Sequence, residues 1–364
     1  MSRTPRRSED RGRTTRTKNR KPGTQMRAAV YYRNDDVRIE EMPKPRVGKG
    51  EFLLRVRACG ICGSDVMEWY RIKKAPLVLG HEATGEIVEV GDGCPYEAGQ
   101  RVFVSHHVPC GVCRYCRGGH ETACETLHTT NFEPGGFAEY VRIPKINVEK
   151  GVYILPDDMS YEEGTLIEPL ACVARGHRIA QLGKGQTALV LGSGIAGLLH
   201  VKLAKAKGAR VIATDINEWR LRKAKEFGAD AVIDAKSYTT EKLKEANGGR
   251  LADKVILCTG ALSAVKQALE SADRGGTILF FAVPEPGADV SIPVNDFWRN
   301  EIAVITSYGA APRDLEEALK LIKNRRIQVD DLITHILPLQ DAQEGFKLVA
   351  EAKESIKVIL KPDS

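Results

Sequence analysis

No stretch of this 364-residue chain approaches the 18 apolar residues that a membrane-spanning helix requires; the most apolar segment, Ala188 to Val201, is broken by glycines and ended by Lys202. The first residues lack an apolar h-region, so no secretory signal is read there. No internal repeat is present, and neither a collagen period nor a coiled-coil pattern runs through the chain. With 42% hydrophobic and 28% charged residues, the composition is that of an ordinary globular protein, expected to be soluble and without a membrane partner. A peptide hormone or a disulfide miniprotein is excluded by length, which at roughly 100 to 200 residues per domain predicts two domains.

The excess of positive charge is also local. Residues 1–25 hold nine Lys or Arg against Glu9 and Asp10, a net +7 in a chain whose total is +6, so the rest carries −1. The basic balance belongs to the first 25 residues and is no nucleic-acid footprint of the folded body. That segment reads as a disordered basic tail, with a transit peptide or a polyanion-binding arm as alternatives. A start at Met26 is a third reading, because Met26-Arg-Ala-Ala-Val-Tyr-Tyr opens a strand-like alternation at once.

Nine cysteines without a secretory signal point to metal ligation rather than disulfides, and to a reducing, cytoplasmic setting. Cys110, Cys113, Cys116 and Cys124 are spaced C-x2-C-x2-C-x7-C. Four thiolates in one loop form a closed tetrahedral shell, a structural Zn²⁺ site with no position for substrate. An iron–sulfur cluster is the competing reading of these ligands. Cys59 and Cys62 form a C-x-x-C for which a redox dithiol has no support in the β-rich context, and Cys59, Cys94, Cys172 and Cys258 are read as packing residues.

From Met26 to Ile154 the pattern is of short β-segments punctuated by glycine and proline. From Thr187 it changes to alternating strand and helix, the signature of a parallel sheet covered on both faces, ending near Ser307. An amphipathic helix from Asp314 to Lys323 and a terminal strand from Ile356 to Lys361 suggest a return to the first domain.

Within the alternating region, Gly192-Ser-Gly194-Ile195-Ala-Gly197 follows an apolar strand and opens a helix, which is the context that makes G-x-G-x-x-G informative. Gly192 permits the tight turn, Gly194 the approach of a pyrophosphate to the helix N-terminus, and Gly197 close helix-to-strand packing. Asp215, 18 residues beyond Gly197, can accept hydrogen bonds from ribose hydroxyls and would repel a 2′-phosphate, favouring NAD over NADP. Arg220 and Arg222 are near enough to soften that preference.

A third constellation is dispersed: Gly60-Ile-Cys62-Gly-Ser64-Asp65, Gly80-His81-Glu82 and Leu166-Ile-Glu168-Pro. Singly, each fits an ordinary role: Cys62 a core thiol, His81 a satisfied core histidine, Glu168 a cap before a proline. Together with the four-cysteine loop, Gly135-Gly-Phe-Ala-Glu-Tyr140 and the Gly192 fingerprint, in this order, they resemble the zinc-containing medium-chain dehydrogenase/reductases over Met26 to Lys361. Glu168-Pro-Leu, where classical alcohol dehydrogenases place a cysteine, is most similar to the sorbitol or L-iditol 2-dehydrogenase branch.

The resemblance implies a fold that is α/β plus mostly β. A GroES-like catalytic domain, residues 26–170 with a return at 309–364, would carry an inserted doubly wound Rossmann domain, residues 171–308. It implies two Zn²⁺ per chain and NAD. The catalytic ion would be held by Cys62, His81 and Glu168, with Glu82 a direct ligand or an exchanging partner. The open fourth position would take the hydroxyl of a small-molecule alcohol or polyol, whose hydride passes to the nicotinamide. Ser64 would take the proton and Asp65 would orient His81. The expected reaction is oxidation of a secondary alcohol to a ketone by a homodimer or homotetramer.

Two departures from the family pattern stand out. Met67 occupies the position of a histidine that often completes the proton relay, and Ser307-Tyr308 stands where sorbitol enzymes have an arginine followed by a tyrosine. Arg71, Lys73 and Lys74 could bind a phosphorylated polyol if they face the cleft, against the alternative of a solvated basic face. L-threonine 3-dehydrogenase and inositol or amino-sugar dehydrogenases share the motif set. Rivals of another class are a nucleic-acid-binding zinc protein and a catalytically silent NAD-binding regulator.

Overall fold

The computed structural model describes residues 24–362. The expectations for the basic tail lie outside the described residues, except that Gln25, assigned to the tail, already pairs with Pro43 in the strand Gln25–Arg33. No helix among the described residues is long and apolar enough to cross a membrane.

Alternation and interruption in the sequence translate into two sheets of different kinds. The strands Ala231–Asp234, Arg210–Asp215, Thr187–Leu191, Ala252–Leu257, Ala272–Phe280 and Ala303–Thr306 lie side by side in that spatial order, all parallel. Thr187–Leu191 is central and buried at every residue, as a strand covered on both faces must be. The chain leaves it in both directions, so its C-terminal end is the topological switch point where a ligand crevice opens.

The second sheet has seven strands and is chiefly antiparallel; its centre pairs Phe52–Ile61 with Glu82–Val90 and with the returning strand Lys357–Lys361. A three-stranded sheet made by Asp36–Pro43, Gln25–Arg33 and Leu77–Val78 packs with it.

The helix Ile167–Ile179 was not read from the sequence, where Pro169 looks like a break. Proline is tolerated there because it stands in the first turn, whose N–H groups have no intrahelical partner. This helix runs across residue 170 and packs against the helix Pro312–Lys323. Arg178 donates to Asp314 from Nε at 3.0 Å and Nη2 at 2.9 Å, and Asp314 in turn accepts from the Ala311 N–H at 3.0 Å. The two helices share one apolar cluster with Phe103, Leu155 and Met159 of the β lobe and with the Rossmann strands, so the chain crosses between lobes over a packed core.

Candidate active site and metal centres

The strand Phe52–Ile61 delivers Cys62 to the start of a short 3₁₀ turn, Gly63–Val66, and the turn is fixed by the residues around it. The Ser64 N–H donates to Cys62 Sγ at 3.4 Å, and the Cys62 N–H donates to Asp65 Oδ2 at 3.0 Å. The other Asp65 oxygen lies 3.5 Å from His81 Nδ1 and accepts from Arg71 Nη2 at 3.4 Å. Asp65 is fully buried, which favours its neutral form, yet His81, Arg71 and the Cys62 N–H outweigh burial and hold its pKa below the ordinary carboxylate value. A carboxylate on Nδ1 leaves Nε2 of His81 as the metal-facing nitrogen.

Donor atoms of Cys62, His81 and Glu82 lie within 4.8 Å of one another, a soft thiolate, an imidazole and a carboxylate on one small sphere, which is a zinc donor set. Glu168 is outside that group. Its Oε1 accepts a hydrogen bond from Cys172 Sγ at 3.3 Å, one turn along the same helix, while its charge still acts on Glu82 and on Lys357. Among the described residues the donors within 4.8 Å of one another are thus Cys62, His81 and Glu82, while Glu168 is bonded to Cys172.

Lys357 is the group that sequence reading missed. It lies on the returning strand, is fully buried, and its Nζ pairs with Glu82 Oε2 and reaches the Ile61 carbonyl at 3.3 Å. Burial favours the neutral amine, but Glu82 outweighs it and keeps the lysine protonated. Gly60 leaves the space for this pair, since a Cβ there would stand 2.0 Å from Glu82 Oε2 and 2.5 Å from Lys357 Cε. The only sequence signal was a lysine inside an otherwise apolar strand, Ile356 to Leu360.

His106 and His107, also not singled out, wall the far side of His81: ring centroids are 4.8 Å apart between His81 and His106 and 3.8 Å between His106 and His107. Burial and neighbouring positive charge push the pKa of His107 down to about 4, so it is neutral at physiological pH. Ser64 Oγ accepts from Arg71 Nη2 at 3.1 Å, while Arg71 Nε donates to the Ser64 carbonyl at 2.9 Å. The guanidinium therefore fixes Ser64 without being able to accept its proton. Met67 is partly exposed beside this turn.

The four-cysteine loop is an independent centre, its donor atoms again within 4.8 Å of one another. Backbone N–H groups aim at the sulfurs: Val112 and Cys113 donate to Cys110 Sγ at 3.4 and 3.3 Å, and Cys110 donates to Cys124 Sγ at 3.4 Å. Burial raises the Cys124 pKa, but the N–H groups of Cys110 and Leu127 outweigh it and bring it down to about 6, so this thiolate forms readily at neutral pH. The loop suits a closed, four-thiolate zinc shell. None of the nine cysteines is in a disulfide.

The glycine loop stands at the end of the central parallel strand. Gly192 turns at φ +96°, and a Cβ on Gly197 would stand 1.9 Å from the Gly192 carbonyl oxygen, so the helix Ile195–Ala206 can lie this close only with glycine there. Asp215 Oδ2 accepts from the Ser193 N–H at 2.7 Å and Oδ1 from the Asn217 N–H at 2.9 Å. A Cβ on Gly194 would meet only Arg220 Nη1, at 3.7 Å, and Arg220 Nε is buried with no partner. An open glycine cradle, a helix N-terminus and an arginine with an unsatisfied donor fit a dinucleotide pyrophosphate. Arg222 is exposed. Arg220 Nη2 donates to the Ser355 carbonyl at 3.3 Å and Asn217 Nδ2 to the Lys353 carbonyl at 2.9 Å. The dinucleotide side is thereby tied to the segment that leads into Lys357.

Comparison with known proteins agrees with this anatomy. A family model for the alcohol dehydrogenase GroES-like domain matches residues 48–157, and one for zinc-binding dehydrogenases matches residues 196–324. The sorbitol dehydrogenase of Gallus gallus is 32% identical over 350 residues, 92% of this chain and 96% of the relative. The (R,R)-butanediol dehydrogenase of Bacillus subtilis is 32% identical over 362 residues, 93% of this chain and 100% of the relative. A solved zinc-binding dehydrogenase from Sinorhizobium meliloti 1021, bound to NADP, superposes with a TM-score of 0.83 at 28% identity, covering 93% of this chain and 99% of its own. The chain belongs to the zinc-containing medium-chain dehydrogenase/reductase family, in its sorbitol dehydrogenase-like branch.

Proposed function

We propose that this dehydrogenase oxidises a secondary alcohol of the polyol or vicinal-diol class to a ketone, with NAD as the hydride acceptor. The observation that carries the reading is the convergence of Cys62, His81 and Glu82 beside Ser64: three donors, one position left open, and a hydroxyl at hand.

Zinc held by these residues supplies a Lewis acid that lowers the pKa of a bound hydroxyl. The chain's own groups do the rest. Asp65 holds His81 and the Cys62 backbone in place, and Lys357 holds Glu82. Ser64 Oγ, with one lone pair engaged by Arg71, takes the hydroxyl proton as its own O–H proton passes on to solvent water, so that the serine stays neutral. Tyr308, just after the last parallel strand, reaches Tyr70 of the other lobe and so lies across the cleft. Gly192, Gly194, Ile195, Gly197 and Arg220 receive the pyrophosphate. The Asp215 carboxylate, already turned toward the loop, keeps lone pairs for ribose hydroxyls and disfavours a 2′-phosphate. The curated relatives named for sorbitol and (R,R)-butanediol support the alcohol class.

The test is NADH formation at 340 nm, with NAD and NADP assayed separately over sorbitol, xylitol, L-iditol, myo-inositol, L-threonine and butane-2,3-diol. Turnover of a polyol or diol with NAD, abolished in Cys62→Ser, is the expected result. Preference for NADP, or activity confined to L-threonine or inositol, replaces the corresponding part of the reading. Bound NADH without turnover of any alcohol favours the silent regulator.

A further inference from the structure

Cationic side chains and neutral hydrogen-bond donors gather around the mouth of the metal site. Arg71, hydrogen-bonded to Ser64, lies over the Tyr70 ring with Cζ 4.5 Å from its centroid, and Lys74 Nζ is 5.8 Å from the same centroid. Burial and the neighbouring Tyr70 hydroxyl raise the pKa of Tyr308, and the Tyr308 ring stacks on His128 at 5.3 Å. On the opposite side the wall closes through His107 and His106 to His81. Arg71 and Lys74 thus bring two permanently cationic side chains to one ring at this opening, with the His128 imidazole next to Tyr308.

Of the acids nearby, Asp65 pairs with Arg71 at 3.4 Å and so offsets part of its charge, but it does not engage Lys74. Asp65 is buried behind Arg71 and engaged by His81 and the Cys62 N–H. Glu68 accepts instead from the Asn34 N–H, at 3.2 Å. Like charges gathered at one opening repel one another, and a bound anion relieves that repulsion. A neutral polyol has no use for them. His128 reaches the wall because its helix, Glu125–Thr129, begins directly at Cys124, so the four-cysteine loop sets one edge of the substrate cleft.

We infer that the alcohol oxidised at this site carries an anionic group, a phosphate ester or a carboxylate, held by Arg71, Lys74 and His128 together with the Tyr70 and Tyr308 hydroxyls. The inference rests on the dehydrogenase reading above and names the substrate class of the same site. Arginine and lysine supply charge-assisted hydrogen bonds to such a group, and the phenols add neutral donors.

The test measures kcat/KM of the zinc-loaded full chain with NAD on sorbitol, sorbitol 6-phosphate and gluconate, the last two separating phosphate from carboxylate. At least one anionic substrate is expected to exceed sorbitol by about tenfold or more. Lys74→Gln and His128→Gln are each expected to lower the anionic-to-neutral ratio by roughly fivefold or more, through KM. Equal kcat/KM on charged and neutral substrates, or a ratio that neither variant moves, overturns the inference. If no alcohol is oxidised, the dehydrogenase reading fails separately. Calorimetric titration of sorbitol 6-phosphate and gluconate into the zinc- and NADH-loaded protein then decides: binding weakened by Lys74→Gln upholds the anion site, and binding of neither ligand removes it.

Discussion

The two cysteine-bearing centres of this chain are built on opposite plans. In the loop from Cys110 to Cys124, four donors come from 15 consecutive residues, three of them half-exposed, and backbone N–H groups of the same loop stabilise the sulfurs. In the cleft, the donors come from the ends of two strands; His81 and Glu82 are buried, and their partners Asp65 and Lys357 come from a turn and from the far end of the chain. The first centre has four equal donors and no open position; the second has three unlike donors and a buried cation behind one of them. A closed local shell serves stability, whereas an open, distributed one can hold and activate a ligand.

Four experiments break or sharpen that contrast, in order of expected effect. Cys62→Ser should lower alcohol oxidation by roughly a thousandfold, about 4 kcal/mol of transition-state stabilisation, with one equivalent of zinc lost and the urea unfolding midpoint little changed. Cys113→Ser should also lose one equivalent of zinc but show the reverse balance, a lowered midpoint and a smaller loss of rate. Complete inactivation of Cys113→Ser at an unchanged midpoint would dissolve the division of labour.

Lys357→Met should destabilise the metal-free protein by about 3 to 5 kcal/mol in urea unfolding, because without zinc it strands the Glu82 carboxylate in a buried site. Adding Glu82→Gln should recover much of that loss; a double variant as unstable as the single one would mean that packing, and not charge, is what Lys357 contributes.

Chelation separates the centres kinetically. Pyridine-2,6-dicarboxylate should strip the three-donor site first, since an open coordination position admits the chelator despite burial, so activity should fall before the thermal midpoint does. A midpoint that falls first would reverse the assignment of open and closed shells. The smallest effect is expected at the edge of the loop, where Arg313 Nη2 reaches Glu121 at 3.4 Å and the Gly119 carbonyl at 3.5 Å with half of its side chain exposed. Arg313→Ala should cost under about 1 kcal/mol and leave both metals bound.

The same contrast explains what could be read before folding. The C-x2-C-x2-C-x7-C spacing exposes the loop centre because its ligands are neighbours in sequence as well as in space. The alternating region was legible for a similar reason: strand and helix periods are local, and the helix expected to open at the glycine motif is found at Ile195–Ala206. The helix Ile167–Ile179 was not legible, although Ile167, Leu170, Ala171 and Ala174 carry its period, because Pro169 resembles a terminator when its place in the first turn is unknown. Cys62, His81 and Glu82 were named through family resemblance, and their spacing of 19 residues between Cys62 and His81 announces nothing by itself.

The sequence by itself determined the parts whose physics is local: the closed cysteine shell, the glycine turn that Gly197 allows to pack, the two kinds of sheet, and the confinement of excess positive charge to the first 25 residues. Tertiary structure alone decided that Lys357 faces Glu82 across 275 residues, that Glu168 bonds to Cys172, and that Arg71 turns onto Ser64. A buried charge needs a partner in space, and sequence separation sets no limit on where the fold finds one.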